Sequence, residues 1–135
     1  MITIERKVGR LVEIRVVGQP EMKQFGRVIA LANEVGPDSK VVVLVDVRKA
    51  IGMTPEYVEK LGLMIRSSAQ RVAQAVVVRG GGGLVKYAAS AKVARVAGPV
   101  AQRFVDGPED ALAALSPVVD AAELARARRF LEEGE

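Results

Sequence analysis

The feature that most constrains the fold is the run Val41-Val42-Val43-Leu44-Val45, an unbroken series of apolar and mostly β-branched residues. The run is short for a buried helix, and β-branched side chains favour extended backbone. A strand that is apolar at every position has to be covered on both faces, which is typical of parallel sheets in α/β proteins. The sequence therefore predicts a central strand over 40–47, with other elements packed against it.

Segments of strand and helix character alternate along the rest of the chain. Ile2–Val8 and Leu11–Val17 alternate apolar and polar residues, which is typical of strands with one buried face, and Gly9-Arg10 between them suits a hairpin turn. The remaining predicted elements are a helix after Pro20, the strand 40–47, a helix after Thr54-Pro55, a strand over 73–78, a helix over 84–97, a strand over 100–105, and helices over 108–115 and 121–132. The order β-β-α-β-α-β-α-β-α-α predicts an α/β fold with a mixed, largely parallel sheet, packed helices and an antiparallel edge.

Cys and His are both absent from the sequence. Without Cys there is no disulfide, thiolate metal site or cysteine nucleophile, and without His the commonest general base and zinc ligand are missing. We therefore expect no metal and no cofactor, and a binding protein rather than an enzyme. No apolar run approaches the roughly 20 residues of a membrane-spanning helix, and the first residues are charged where a signal peptide is apolar. We expect a cytoplasmic protein.

Charge is unevenly distributed along the chain. Residues 60–105 contain eight Lys and Arg and no acidic residue, whereas residues 106–135 contain eight Asp and Glu against three Arg. Either the basic stretch attracts an anionic partner, or the acidic part folds over it within the chain or across a homodimer, which is the commoner arrangement. Nucleic acid is the poorest candidate partner, because the aromatic residues that stack on bases are scarce.

Three stretches resemble the STAS family, which has the SpoIIAA-like fold of the anti-sigma-factor antagonists. They are the buried strand that ends in an acidic residue, 41–46, the loop Gly52-Met53-Thr54-Pro55, and 100–115, which reads as a last strand and a short helix. The resemblance implies a STAS-like α/β domain over 1–116, followed by an amphipathic helical extension over 117–135. It also implies a regulatory or scaffolding role through contact with a regulatory protein, or with a second copy of the chain.

The resemblance also implies where such a partner would bind. Regulatory members of the family carry Asp-Ser-Ser-Gly at the start of the second helix, where a kinase phosphorylates a serine. This sequence departs from that motif, because Thr54 is the only hydroxyl in the loop. Thr54 is either the phosphorylation site or, more commonly for Thr before Pro, a helix N-cap. We assign partner contact to Asp46, Thr54, Glu56 and Tyr57. For Asp46 alone, capping or pairing with Arg48 or Lys49 is the default, and binding of a ligand is the alternative.

A glycine run defines a second candidate site. Gly80, Gly81, Gly82 and Gly83 follow a predicted strand and precede a predicted helix, where backbone N–H groups can hold a phosphate. The run matches neither dinucleotide-binding nor P-loop patterns, so a flexible connector is its commoner role. With Lys86 it defines the alternative function, which is binding of a small anionic ligand such as a nucleotide or a lipid.

Overall fold

Five strands form a single mixed sheet in the order β1-β2-β3-β4-β5. The computed structural model describes residues 2–19, 22–24, 26–27, 40–51, 56, 59, 63, 66, 72–79, 95 and 102–135. The strands are β1 (Ile2–Val8), β2 (Leu11–Gly18), β3 (Val41–Ala50), β4 (Val72–Val78) and β5 (Gln102–Val105). β1 is antiparallel to β2, and β2 to β5 are parallel. The predicted α/β fold with a largely parallel sheet is confirmed.

The hairpin that opens the chain has the predicted two-residue turn. Val8 pairs with Leu11, and Gly9 has a φ of +52°, a left-handed conformation that suits glycine. The turn carries β1 to the outer edge of the sheet and leaves β2 beside β3. The central strand predicted from the apolar run is β3, which has β2 on one side and β4 on the other.

Two helices at the end of the described chain pack on one face of the sheet. Helix α1 spans Pro108–Leu115, with Pro in its first turn, where a missing N–H costs nothing. Helix α2 spans Ala121–Glu133 and begins with the predicted capping box, in which Asp120 accepts from the N–H of Glu123 and Glu123 accepts from the N–H of Asp120.

The core on this face joins β2, β3 and β4 to both helices. Its buried members are Leu11, Val42, Leu44, Val76, Val78, Ala111, Leu112, Ala114, Leu115, Ala127, Phe130 and Leu131. The last three belong to α2, so residues 117–135, which the resemblance sets apart as an extension, contribute to the same core as the sheet. On the other face Val12, Ile14 and Val45 are buried as well, and Val43 is partly buried.

Helical residues are also described in each of the three connections between parallel strands. Met22–Gln24 forms a 3₁₀ turn, and Gly26 and Arg27 follow it. Glu56, Glu59, Leu63 and Arg66 are helical between β3 and β4, and Arg95 is helical between β4 and β5. No helix among the described residues is both long and apolar enough to cross a membrane.

Two strand predictions were wrong in detail. β2 was expected to have one exposed polar face, yet Glu13 on that face is only 2% exposed. The reason is that α2 covers this face, where Arg126 pairs with the Glu13 carboxylate. β3 was expected to end at residue 47, and it continues to Ala50 because its parallel pairing with β2 extends to Gly18.

Candidate functional site

Asp46 lies on β3 at the level where β4 and β5 end. Its neighbours across the sheet are Arg15 on β2 and Val78, the last residue of β4. The register of β2 and β3 shifts just beyond Arg15, where β3 carries an extra residue, as in a β-bulge. Next to this irregularity the backbone N–H of Arg48 donates to Asp46 Oδ1 at 3.0 Å. The carboxylate therefore sits at the carboxyl edge of the parallel strands, where α/β sheets place their sites.

Two guanidinium groups surround the Asp46 carboxylate. Arg48 binds it with both edges of its fork, from Nε to Oδ1 at 2.9 Å and from Nη2 to Oδ2 at 3.0 Å. Arg15 adds a longer contact from Nε to Oδ2 at 3.4 Å. The Asp46 residue is only 3% exposed. The pairing with Arg48, which was part of the default expectation for Asp46, is present in the structure.

The charge state of Asp46 follows from these contacts. Burial alone would raise the pKa of its carboxyl, because a charged group loses hydration. The hydrogen bonds and positive charge of Arg48, with a hydrogen bond from Arg15, outweigh burial and hold the pKa below its usual value. The hydrogen bond to Asp46 in turn raises the pKa of Arg48. Asp46 is therefore held in its charged form by the two arginines.

The same cations bind the end of α2. Arg48 Nη2 donates to the carbonyl of Leu131 at 2.7 Å, and Arg15 donates to the carbonyl of Phe130. Just beyond the helix, Lys49 Nζ donates to the main-chain oxygen of Glu135 at 3.0 Å. The Arg15 guanidinium also lies 4.1 Å from the centre of the Phe130 ring. The carbonyls at the end of a helix have no partner within it and carry partial negative charge, so cations stabilise them. We call Arg15, Asp46, Arg48 and Lys49 the arginine cluster.

Gly134 packs closely against the arginine cluster, where it leaves no room for a side chain unless a neighbour moves. A Cβ at this position would lie 2.6 Å from Asp46 Oδ2 and 2.7 Å from Arg15 Nη2, closer than atoms of these kinds approach. The chain after α2 is thus in close contact with the cluster. Any larger residue at position 134 has to displace either these side-chain ends or the end of the helix.

Two further carboxylates hold α2 along its length. Glu13 pairs with Arg126 at 3.3 Å in the middle of the helix. At the start of the helix, Glu123 Oε2 accepts from the backbone N–H of Arg10, in the hairpin turn, at 2.8 Å. The Arg10 side chain also donates to the carbonyl of Val118 at 3.1 Å. The helix is therefore attached to β2 and the hairpin by polar contacts at its start, middle and end.

The residues assigned to partner binding are not brought together by what the structure describes. Asp46 faces α2 and is buried, so it offers no surface contact while α2 is in place. Glu56 is helical and exposed. Thr54, Tyr57, Gly80, Gly81, Gly82, Gly83 and Lys86 lie outside the described residues. Sequence reasoning missed Arg15 and Glu13, because a charged residue on an alternating strand is normally solvated and nothing local points to a covering helix.

A separate exposed surface begins where β3 ends. Ile51 is 66% exposed and Leu63 is 49% exposed, and both are large apolar residues. Glu56, Glu59 and Arg66 are exposed helical residues at a spacing that places them on one side of a helix with Leu63. We call these five residues the 51–66 surface. It combines apolar side chains with charged ones, as the cores and rims of protein interfaces do.

In the described part of the basic stretch, residues 60–105, one arginine forms an ion pair with an acidic residue. Arg79 pairs with Asp106 at 3.1 Å, which joins the ends of β4 and β5. Arg66, Arg95 and Arg103 are exposed and take part in none of the ion pairs of the described residues. Other acidic residues of the C-terminal part pair with its own arginines, as Glu109 does with Arg128.

A solved structure shares this architecture. It is the crystal structure of an uncharacterised protein of the DUF3478 family with a SpoIIAA-like fold, from Shewanella loihica PV-4. The likeness has a TM-score of 0.58 and 20% sequence identity, and covers 85% of this chain and 92% of that one. No protein-family model and no curated protein matches the sequence. This chain therefore has a SpoIIAA-like fold, as the resemblance to the STAS family predicted.

Proposed function

We propose that this protein is a non-catalytic regulatory or scaffolding module of the cytoplasm that acts through contact with another protein, and that it binds through the 51–66 surface. The observation that carries the proposal is the exposure of the large apolar residues Ile51 and Leu63, in the same stretch of chain as the exposed charged residues Glu56, Glu59 and Arg66. Large exposed apolar groups within a charged rim are typical of docking surfaces. The loop after β3 is also where the resemblance to the STAS family implies contact with a partner.

The surface is suited to a test by substitution because its residues are exposed. Ile51→Asp and Leu63→Asp each place a charge where a partner would bury an apolar side chain, and neither changes the core. We expect each variant to bind a partner protein co-purified with the wild type at least tenfold more weakly, since a central contact contributes about 2 kcal/mol or more and about 1.4 kcal/mol is tenfold in affinity. The affinity of the purified pair is measured by isothermal titration calorimetry.

The matched control adds the same charge elsewhere. Ala113→Asp lies on the exposed side of α1 and belongs to no part of the 51–66 surface, and we expect it to leave the affinity unchanged. A partner that binds Ile51→Asp, Leu63→Asp and a combined Thr54, Glu56 and Tyr57 variant as well as it binds the wild type contradicts this placement.

Phosphorylation of Thr54 is a further part of the proposal. A phosphate there carries close to two negative charges at the predicted start of the second helix, and would add them to the same stretch of chain as Glu56 and Glu59. Thr54→Glu should then change partner affinity while Thr54→Ala leaves it unchanged. A pure N-cap role gives the opposite pattern, in which Thr54→Ala lowers the melting temperature and no phosphate is found by mass spectrometry.

The alternative function is binding of a small anionic ligand. Its structural support is the set of exposed arginines of the basic stretch, Arg66, Arg95 and Arg103. Arg79, which precedes the glycine run, is already paired with Asp106. A thermal-shift screen of phosphorylated metabolites and anionic lipids separates the two functions. A shift that is lost in a Lys86→Ala variant favours the ligand, and no shift alongside a co-purifying protein favours the docking module.

A further inference from the structure

An exposed stripe runs along the helical residues between β3 and β4. Glu56, Glu59, Leu63 and Arg66 are all exposed, and Leu63 is a large apolar residue. They are spaced by three, four and three residues, which places them in one line along the side of a helix. The same spacing recurs in helices that pair with other helices. We call these four residues, which belong to the 51–66 surface, the helix stripe.

The charges of the helix stripe are ordered around its apolar residue. Two acidic residues, Glu56 and Glu59, precede Leu63, and one basic residue, Arg66, follows it. Glu59 and Arg66 lie about 10 Å apart along the helix axis, because they are seven residues apart. Both take part in none of the ion pairs of the described residues. The stripe therefore has an acidic end and a basic end, each open to contact with another molecule.

A stripe with this order of charges is complementary to itself when two copies run antiparallel. Glu59 lies four residues before Leu63 and Arg66 lies three after it, so a two-fold axis close to Leu63 brings Glu59 of each copy opposite Arg66 of the other. The two Leu63 side chains then meet at the axis and cover each other. Parallel packing instead places like charges side by side, which opposes association. Two-fold dimers, which use the same patch on both subunits, are the commonest oligomers.

We propose that the 51–66 surface binds a second copy of this chain through antiparallel helix stripes, in which Glu59 of each copy pairs with Arg66 of the other around the two Leu63 side chains. This inference rests on the proposed function, since it names the partner of the same surface. The helix stripe is about 15 Å long, which is short for a permanent interface. We expect a reversible dimer, as for other small interfaces.

Charge reversal in the full chain tests the pairing. Glu59→Arg brings two positive charges together at each contact of the dimer, and Arg66→Glu brings two negative charges together. Each single variant should self-associate at least tenfold more weakly than the wild type, measured by sedimentation equilibrium. A mixture of the two variants restores opposite charges at both contacts, so it should form heterodimers about as strongly as the wild type forms homodimers. This recovery requires that the partner is a second copy.

Two further variants test the apolar contact and the specificity of the charge effect. Leu63→Asp replaces the contact at the axis with two like charges and should weaken self-association at least tenfold. Arg95→Glu is the matched control for Arg66→Glu, because Arg95 is also helical and exposed but lies outside the helix stripe. It should self-associate as the wild type does. Circular dichroism confirms that each variant keeps its helices, as expected for substitutions of exposed residues.

The outcomes separate this inference from the proposed function. A wild type that stays monomeric up to about 1 mM, or a dimer that persists in Leu63→Asp and in both charge-reversal variants, overturns the inference. A mixture that associates no better than either variant alone also overturns it. In each of these cases the proposed function still stands if a partner of different sequence loses affinity for Leu63→Asp, and it falls with the inference if no partner does.

Discussion

Asp46 is held by two arginines, so the effect of replacing it depends on the charges that stay behind. In Asp46→Asn the guanidinium groups of Arg15 and Arg48 remain largely buried and lose their counter-ion. Breaking a buried pair by removing one partner is strongly destabilising. We expect the free energy of unfolding to fall by about 3 kcal/mol, measured by urea denaturation followed by circular dichroism.

An exposed pair provides the comparison for Asp46. Asp106 pairs with Arg79 but is itself exposed to water, which screens the interaction. Asp106→Asn should cost less than about 1 kcal/mol, as exposed ion pairs do. If Asp46→Asn and Asp106→Asn lose the same free energy of unfolding, burial does not determine how much the Asp46 pairing contributes to stability.

The pKa of Asp46 also predicts how stability depends on pH. Its pKa in the folded protein lies below the value of about 3.8 for a free side chain, so the folded state holds the proton less tightly than the unfolded state. The Asp46 contribution is therefore complete above pH 3.8 and is lost as the pH falls further through the lowered folded pKa. The difference in unfolding free energy between wild type and Asp46→Asn should be constant from pH 7 to about 5 and shrink below about 4. Urea titrations across this range measure it.

Single residues were predictable from the sequence where the partner is near in the chain. Asp46 and Arg48 are two positions apart, and the pair was one of the alternatives. Arg15 and Glu13 meet partners 31 and 113 positions away. No local sequence pattern identifies the partners of Arg15 and Glu13, because these partners depend on which element covers the β2 face.

At the scale of elements, the start of α2 combines a local cap with a long-range contact. The Asp120 side chain accepts a hydrogen bond from the backbone N–H of Glu123, within the start of the same helix. The Glu123 side chain accepts hydrogen bonds both from the backbone N–H of Asp120 and from that of Arg10 in the hairpin turn. We expect Asp120→Ala to cost about 1 kcal/mol, as loss of an N-cap does. Glu123→Ala should cost about 1–3 kcal/mol more, because the Arg10 N–H loses its partner in the hairpin turn.

Thermal unfolding of these two variants checks the expectation. The melting temperature should fall further for Glu123→Ala than for Asp120→Ala, and hydrogen exchange at the Arg10 amide should increase only in Glu123→Ala. Equal shifts would show that the hairpin contact adds nothing to the cap.

Elements with local signals were predicted best. The bounds of β1 and α1 agree with the structure, as does the start of α2, because Gly9, Pro108 and the capping box mark them in the sequence itself. The end of β3 was not predicted, since its last residues are fixed by pairing with β2 rather than by their own propensity.

At the scale of the whole molecule, stability depends on the strand in the middle of the sheet. Leu44 is fully buried beneath the helices, whereas Leu63 is half exposed on the 51–66 surface. We expect Leu44→Ala to lower the free energy of unfolding by about 2–5 kcal/mol through loss of buried area and a residual cavity. Leu63→Ala should change it by less than about 0.5 kcal/mol, measured by urea denaturation of both variants.

The architecture was accessible from the sequence because alternating strand and helix segments admit few arrangements. The unbroken apolar run of β3 requires two covered faces, and the opening hairpin requires an antiparallel edge. The sequence did not reveal which element covers the β2 face, and for the same reason it did not reveal the arginine cluster. Both depend on how α2 packs against residues much earlier in the chain.

The order of strands in space is the order in which they are synthesised. Each strand can therefore pair with its predecessor as it leaves the ribosome, but Glu13 has no Arg126 until another 113 residues have been made. Until then, the face that α2 will cover presents Glu13, Arg15, Asp46 and Arg48 to water. An unfinished sheet with charges on that face resists sticking to other nascent chains, as charged residues on exposed strands generally do. We expect the ionic groups under α2 to make the unfinished sheet less prone to aggregate than the apolar side chains of that face, such as Val42 and Leu44, would make it by themselves.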